Sequence, residues 1–154
     1  MTSPAASWAD PLAPDEFRLL AEVGFVAAGR GMVDRASQIF QALIDIAPTR
    51  PLPHIGLSLA LLNSGRADDA LRVLERAEGW LKGAPGSDTP PQASDPRDDY
   101  FLLRAFYGVA LKLSGRTSES FRILGELTHR PEGDHAGRIA RSMLGISHLQ
   151  EVTP

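Results

Sequence analysis

Three stretches of this chain repeat one another, and a repeat limits the available folds more tightly than composition does. Gly31, Ala36 and Phe40 recur 34 residues later as Gly65, Ala70 and Leu74. The two segments read GMVDRASQIFQALIDIAP and GRADDALRVLERAEGWLK. A third copy, GRTSESFRILGELTHRP, begins at Gly115, 50 residues after Gly65. The excess of 16 residues matches one stretch, GAPGSDTPPQASDPRD at 83–98, whose removal restores the period. A unit this short cannot bury its apolar face alone, so neighbouring copies must stack.

Each copy predicts two helices. Helix A of the first copy spans 15–28, capped by Asp15, with Phe17, Leu20, Val23 and Ala27 at helical spacing. Gly29-Arg30-Gly31 breaks it, and helix B follows over 33–47 with Ala36, Ile39, Phe40, Leu43 and Ile46 on one stripe. Pro48 comes after its end, a usual place for proline. The second copy predicts helices over 53–64 and 67–82, with Asp68 and Asp69 opposing the positive N-terminal dipole. The third predicts helices over 100–114, capped by Asp98 or Asp99, and over 118–128. An amphipathic segment at 134–150, carrying Ile139, Met143, Leu144, Ile146 and Leu149, suits a helix that caps the last repeat. No stretch alternates like a strand between hairpin turns. All twelve prolines fall outside the expected helix bodies.

This period and layout resembles the tetratricopeptide repeat. With Phe17, Pro51 and Phe101 as position 1, small residues stand at position 8 (Gly24, Ser58, Gly108) and position 20 (Ala36, Ala70, Ser120) in every copy. Small residues there let helices A and B approach closely where they cross. The usual aromatic at position 11 is absent, and position 4 is Leu20, then His54, then Arg104. The resemblance implies an all-α right-handed solenoid of three helix pairs with a C-terminal capping helix. The expected layout is a disordered tail over 1–14 and one domain over 15–150. Its repeats lie at about 15–50, 51–82 and 99–132, with the Pro/Gly-rich insert at 83–98 and the capping helix at 134–150.

Residue chemistry argues against catalysis. The chain has no cysteine, which excludes disulfides, zinc–thiolate sites, iron–sulfur clusters and a thiol nucleophile. No HExxH, GxSxG or phosphate-loop spacing is present, and Gly29-Arg30-Gly31 reads as a turn because no strand precedes it. His54, His129, His135 and His148 lack ligand spacing and read as surface or capping residues. Asp95, Asp98 and Asp99 read as helix caps and linker solvation. The expectation is therefore no enzyme, no metal and no cofactor. The 16 Lys and Arg are scattered among 19 Asp and Glu, for a net charge of −3, without the basic stripe that nucleic acid requires. The first 15 residues have no basic or apolar signal region, and no apolar run is long enough to span a bilayer. A soluble, cytoplasmic protein is expected.

In tetratricopeptide proteins, positions 2, 5, 9, 12 and 13 line a concave face. Transferred here, the resemblance implies a protein-binding set of Arg18, Phe25, Leu52, Ile55, Leu59, Leu62, Leu102, Val109 and Lys112. Position 5 (Ala21, Ile55, Ala105) and position 9 (Phe25, Leu59, Val109) depart from the polar clamp that holds a C-terminal carboxylate in some members. The implied groove is apolar at its centre, with Arg18 and Lys112 at its margins. A second resemblance is to the tetratricopeptide chaperones of bacterial type III secretion systems, carried by Phe40-Gln41-Ala42-Leu43 and Gly56-Leu57-Ser58-Leu59-Ala60. It implies a protein or peptide client, a secretion substrate presenting an apolar helix or extended segment. A general scaffold and a regulatory subunit of an enzyme stay open as alternatives. So do a homodimer, a heterodimer and a groove covered by the chain's own C-terminal helix or Pro-rich insert.

Overall fold

The computed structural model describes residues 12–83 and 96–146. Among these run seven helices: α1 (Pro14–Gly29), α2 (Val33–Ile46), α3 (Pro51–Asn63), α4 (Ala67–Gly83), α5 (Pro96–Leu113), α6 (Thr117–Leu127) and α7 (His135–Met143). Sequential neighbours pack on one another, α4 against α5 included. The odd-numbered helices also pack side by side, α1 on α3, α3 on α5 and α5 on α7. The odd helices are thus the A helices and the even ones the B helices of three stacked pairs. α7 takes the place of a fourth A helix and caps the stack. This is the all-α solenoid that the period implied.

Each A helix starts and stops by the same chemistry. Pro14, Pro51 and Pro96 open α1, α3 and α5, where a missing N–H costs nothing. At the other end, Gly31, Gly65 and Gly115 adopt φ of 75°, 76° and 86°. Only glycine enters that region without strain. The turn lets the next N–H reach back into the helix, Met32 to Ala27, Arg66 to Leu61 and Arg116 to Leu111, each at 2.9 Å. The exposed carbonyls at the helix end are thereby satisfied. Gly145, at φ 69°, repeats the device after α7, with Ile146 N–H on Arg141 O at 2.9 Å.

Several expected boundaries move. α5 begins at Pro96, so residues 96–98 of the expected insert are helical, and Asp98 and Asp99 lie inside the first turn rather than capping it. Asp15 is likewise inside α1; there the Glu16 carboxylate accepts the Ala13 N–H at 3.2 Å. α3 starts two residues early, which places Pro53 in its first turn, the one part of a helix that tolerates proline. α7 ends at Met143 rather than at 150. Residues 1–11 of the expected tail, 84–95 of the insert and 147–150 of the capping segment lie outside the described residues.

The close crossings form where the small residues stand. The Phe40 ring of α2 is fully buried between α1 and α3. A Cβ on Gly24 would come within 2.7 Å of that ring, and one on Gly56 would overlap it. Phe25 meets the same ring edge-on at 5.0 Å between centroids. In the third pair Leu124 fills the equivalent place; a Cβ on Gly108 would lie 2.5 Å from it. Ser120, buried at position 20, donates to Gly108 O at 2.7 Å and so joins α6 to α5. Ala36 and Ala70 are buried at the same position.

The unusual residues at position 4 are explained by polar partners from the preceding repeat. His54 is buried, and its Nε2 lies 2.8 Å from Pro48 O, which ties α3 to the turn after α2. It is therefore a core residue, not a surface or capping one. Arg104 donates to Glu78 of α4 at 2.7 Å and to Glu126 of α6 at 3.2 Å. Tyr107 adds a bond to Glu75 at 3.3 Å, and Arg116 approaches Glu75 at 3.6 Å. Burial, then the neighbouring Glu75 and Glu78 carboxylates, push the Tyr107 hydroxyl pKa up. The contact between the second and third pairs is thus partly ionic, whereas the first and second pairs meet through the Phe40 ring.

Candidate protein-binding groove

A binding surface on stacked helix pairs is assembled from equivalent positions of successive A helices. Position 9 supplies Phe25, Leu59 and Val109, all half-buried. Position 2 supplies Leu52 and Leu102, and position 12 supplies Leu62; these too are half-buried. Phe25, Leu52, Leu62 and Leu102 rest on one continuous core, which fixes their side chains from beneath. An apolar group held on one side and open on the other is suited to cover by a partner.

Three of the expected residues behave differently. Ile55 is 2% exposed and is a core residue, not a surface contact. Its equivalents Ala21 and Ala105 are buried as well, so position 5 faces neighbouring helices in every copy. Lys112 is committed: its Nζ donates to Met143 O at 2.6 Å, holding the end of α7 against α5. Arg18 is exposed and pairs with Glu22 at 3.1 Å along α1. The margins of the apolar row therefore carry a neutralised cation on α1 and a structural one on α5.

α7 is held by a polar collar as well as by packing. Asp134 caps it, accepting Gly137 N–H at 2.9 Å, and is gripped by Arg130 at 2.7 Å. The Arg130 hydrogen bond, aided by Gly137 N–H, holds the Asp134 carboxyl below the usual carboxylate range. Arg130 also stacks on Phe101, 3.8 Å above the ring. Arg141 reaches back from α7 to Thr128 O at 3.1 Å and Arg130 O at 3.0 Å.

One exposed feature was missed in the sequence. On α1, Leu20 and Val23 share helical spacing with Phe17 and Ala27. Phe17 and Ala27 are buried, but Leu20 and Val23 are exposed, beside Leu19 and Val26. A signal was available: α1 is the first A helix of the repeat pattern, and among the described helices only α2 and α3 pack on it. Leu113, at position 13 of the third copy and so among the positions implied to line the concave face, is exposed.

A shallow depression of about 480 Å³ lies elsewhere, lined by Ser37, Gln38, Gln41, Ala42, Asp45 and Leu57. Its one carboxylate, Asp45, accepts from Gln41 at 3.1 Å, and no histidine or lysine faces it. Among the described residues no group of three or more His, Asp or Glu is placed to hold a metal ion. Nor is any described helix long and apolar enough to cross a membrane.

Residues 27–84 match the family model described as Tetratricopeptide repeat. The match runs from the end of α1 through α4, the part of the chain with an uninterrupted period. No curated protein and no solved structure gives a match. Residues 27–84 are thus similar to the tetratricopeptide repeat, a fold that generally mediates contacts between proteins, and the same stacking of A and B helices continues through α5, α6 and α7.

Proposed function

We propose that this domain binds an apolar segment of a client protein along its A helices, as a cytoplasmic chaperone of the type III secretion kind. The observation that carries the reading is the row of half-buried apolar side chains at one repeat position, Phe25, Leu59 and Val109, flanked by Leu52, Leu62 and Leu102. Two or three large client side chains laid on that row would each gain roughly 1–2 kcal/mol from burial. The sum exceeds the cost of ordering a short segment only if the row is already in place. The core beneath Phe25, Leu52, Leu62 and Leu102 supplies that preorganisation. Covering an apolar segment before export would keep the client from aggregating.

The test is capture from secretion-blocked cells, comparing the natural chain with Leu59→Asp and Val109→Asp. Recovery of a small export substrate by the natural chain alone supports the proposal, provided that both variants keep the natural helical circular dichroism. Recovery of housekeeping enzymes only would favour a general scaffold or a regulatory subunit. Unfolding of both variants would move the row into the core.

A further inference from the structure

We infer that the exposed face of α1 is a self-association surface, and that its occupant is α1 of a second copy packed antiparallel about a two-fold axis. Leu19 is 60% exposed, Val23 47% and Val26 56%. They stand at positions 3, 7 and 10 of the first repeat. At those positions α3 carries Pro53, Leu57 and Ala60, all buried, and α5 carries Leu103 and Ala110, both buried, with Tyr107 half-buried. In the second and third copies this is the face that stacks on the repeat before. In α1 it lies open.

Charge selects the occupant. Asp15, Leu19, Val23, Val26 and Arg30 share one stripe, by the spacing of four, four, three and four residues. The stripe is acidic at its start and basic at its end, and neither Asp15 nor Arg30 forms an ion pair among the described residues. An antiparallel copy centred between Glu22 and Val23 places Asp15 opposite the second copy's Arg30, Leu19 opposite its Val26, and the reverse pairs by symmetry. Glu22, beside the axis, is already neutralised by Arg18 at 3.1 Å. A partner helix with both ends of one sign would gain only one of these contacts. Residues 1–11 offer a single large side chain besides Met1, Trp8, too little to fill a face of three.

Sedimentation velocity of the full chain across a range of concentrations tests this. A reversible dimer is expected, with Leu19→Asp and Val26→Asp monomeric at natural helical content, since both positions face solvent within one copy. Asp15→Arg should weaken the dimer roughly threefold to tenfold. Adding Arg30→Asp to Asp15→Arg should restore it, because the swapped pair is again complementary. A chain that stays monomeric at every concentration overturns the proposal and leaves the face to residues 1–11 or to another protein. A dimer that survives Leu19→Asp and Val26→Asp, or that the double swap fails to restore, overturns it equally.

Discussion

The guanidinium of Arg104 on α5 meets the carboxylate of Glu78 on α4 at 2.7 Å, with the two side chains only 18% and 12% exposed. A covered pair of this kind is costly to break from one side, because the remaining charge loses its partner without regaining water. Arg104→Met alone should lower stability by about 2 kcal/mol, measured by urea unfolding. Pairing it with Glu78→Leu should recover most of that loss. Glu126, exposed and 3.2 Å from the same guanidinium, should matter less when replaced.

Gly56→Ala should destabilise the chain although alanine favours a helix. The new methyl would overlap the Phe40 ring, and that ring is enclosed between α1 and α3. Overpacking of this sort costs about 1–3 kcal/mol, more than the helix propensity gained. Adding Phe40→Leu should return part of the loss by freeing space. Thermal unfolding of the two variants and the natural chain decides it.

His54 should make stability depend on pH. Burial, more than the nearby Arg76, holds its pKa below the ordinary imidazole value, while the bond to Pro48 O works in the opposite direction. The unfolded chain therefore binds a proton at higher pH than the folded one. Stability should be level above about pH 6.5 and fall as pH drops below it toward the depressed folded value. Urea midpoints followed across that window should lose this slope in His54→Gln.

Asp134→Ala should loosen α7 before anything else. The carboxylate both caps the helix and holds Arg130, and removing such a cap costs about 1–2 kcal/mol. Amide exchange should speed up at the start of α7 while the amides of α2 and α3 keep their protection. Because the Asp134 pKa is depressed, the cap's contribution is complete above about pH 3.9, the unfolded value, and is lost as pH falls through the folded value.

The repeat itself was legible because it rests on local rules. Gly31, Gly65 and Gly115 stop helices, and Gly24 and Gly108 permit crossings; both roles show in the order of residues. What a residue faces across the stack did not show. Leu20 and Val23 have the spacing of a core stripe, yet they lie open because none of the described helices packs on that side of α1. Ile55 looked like its surface neighbours, yet position 5 is where A helices meet one another. Arg104 and His54 looked like flaws in the pattern at position 4. Each is satisfied by a group 26 or six residues away, Glu78 and Pro48 O, which spacing along one helix cannot reveal. The early start of α5 was hidden by proline, which favours a first turn as readily as a loop.

The ionic seam between α4 and α5 also acts as a polarity key. Glu75 and Glu78 lie on one side of it, and Arg104 and Arg116 on the other. If the backbone were opened between residues 84 and 95, the leading piece would carry only the acids of this seam and the trailing piece only the bases. Unlike pieces would attract across the seam and like pieces would repel there, so two halves expressed apart should rejoin in the natural order rather than with themselves. A departure at position 4 that weakens the family pattern thereby gives the second and third helix pairs a means of telling front from back.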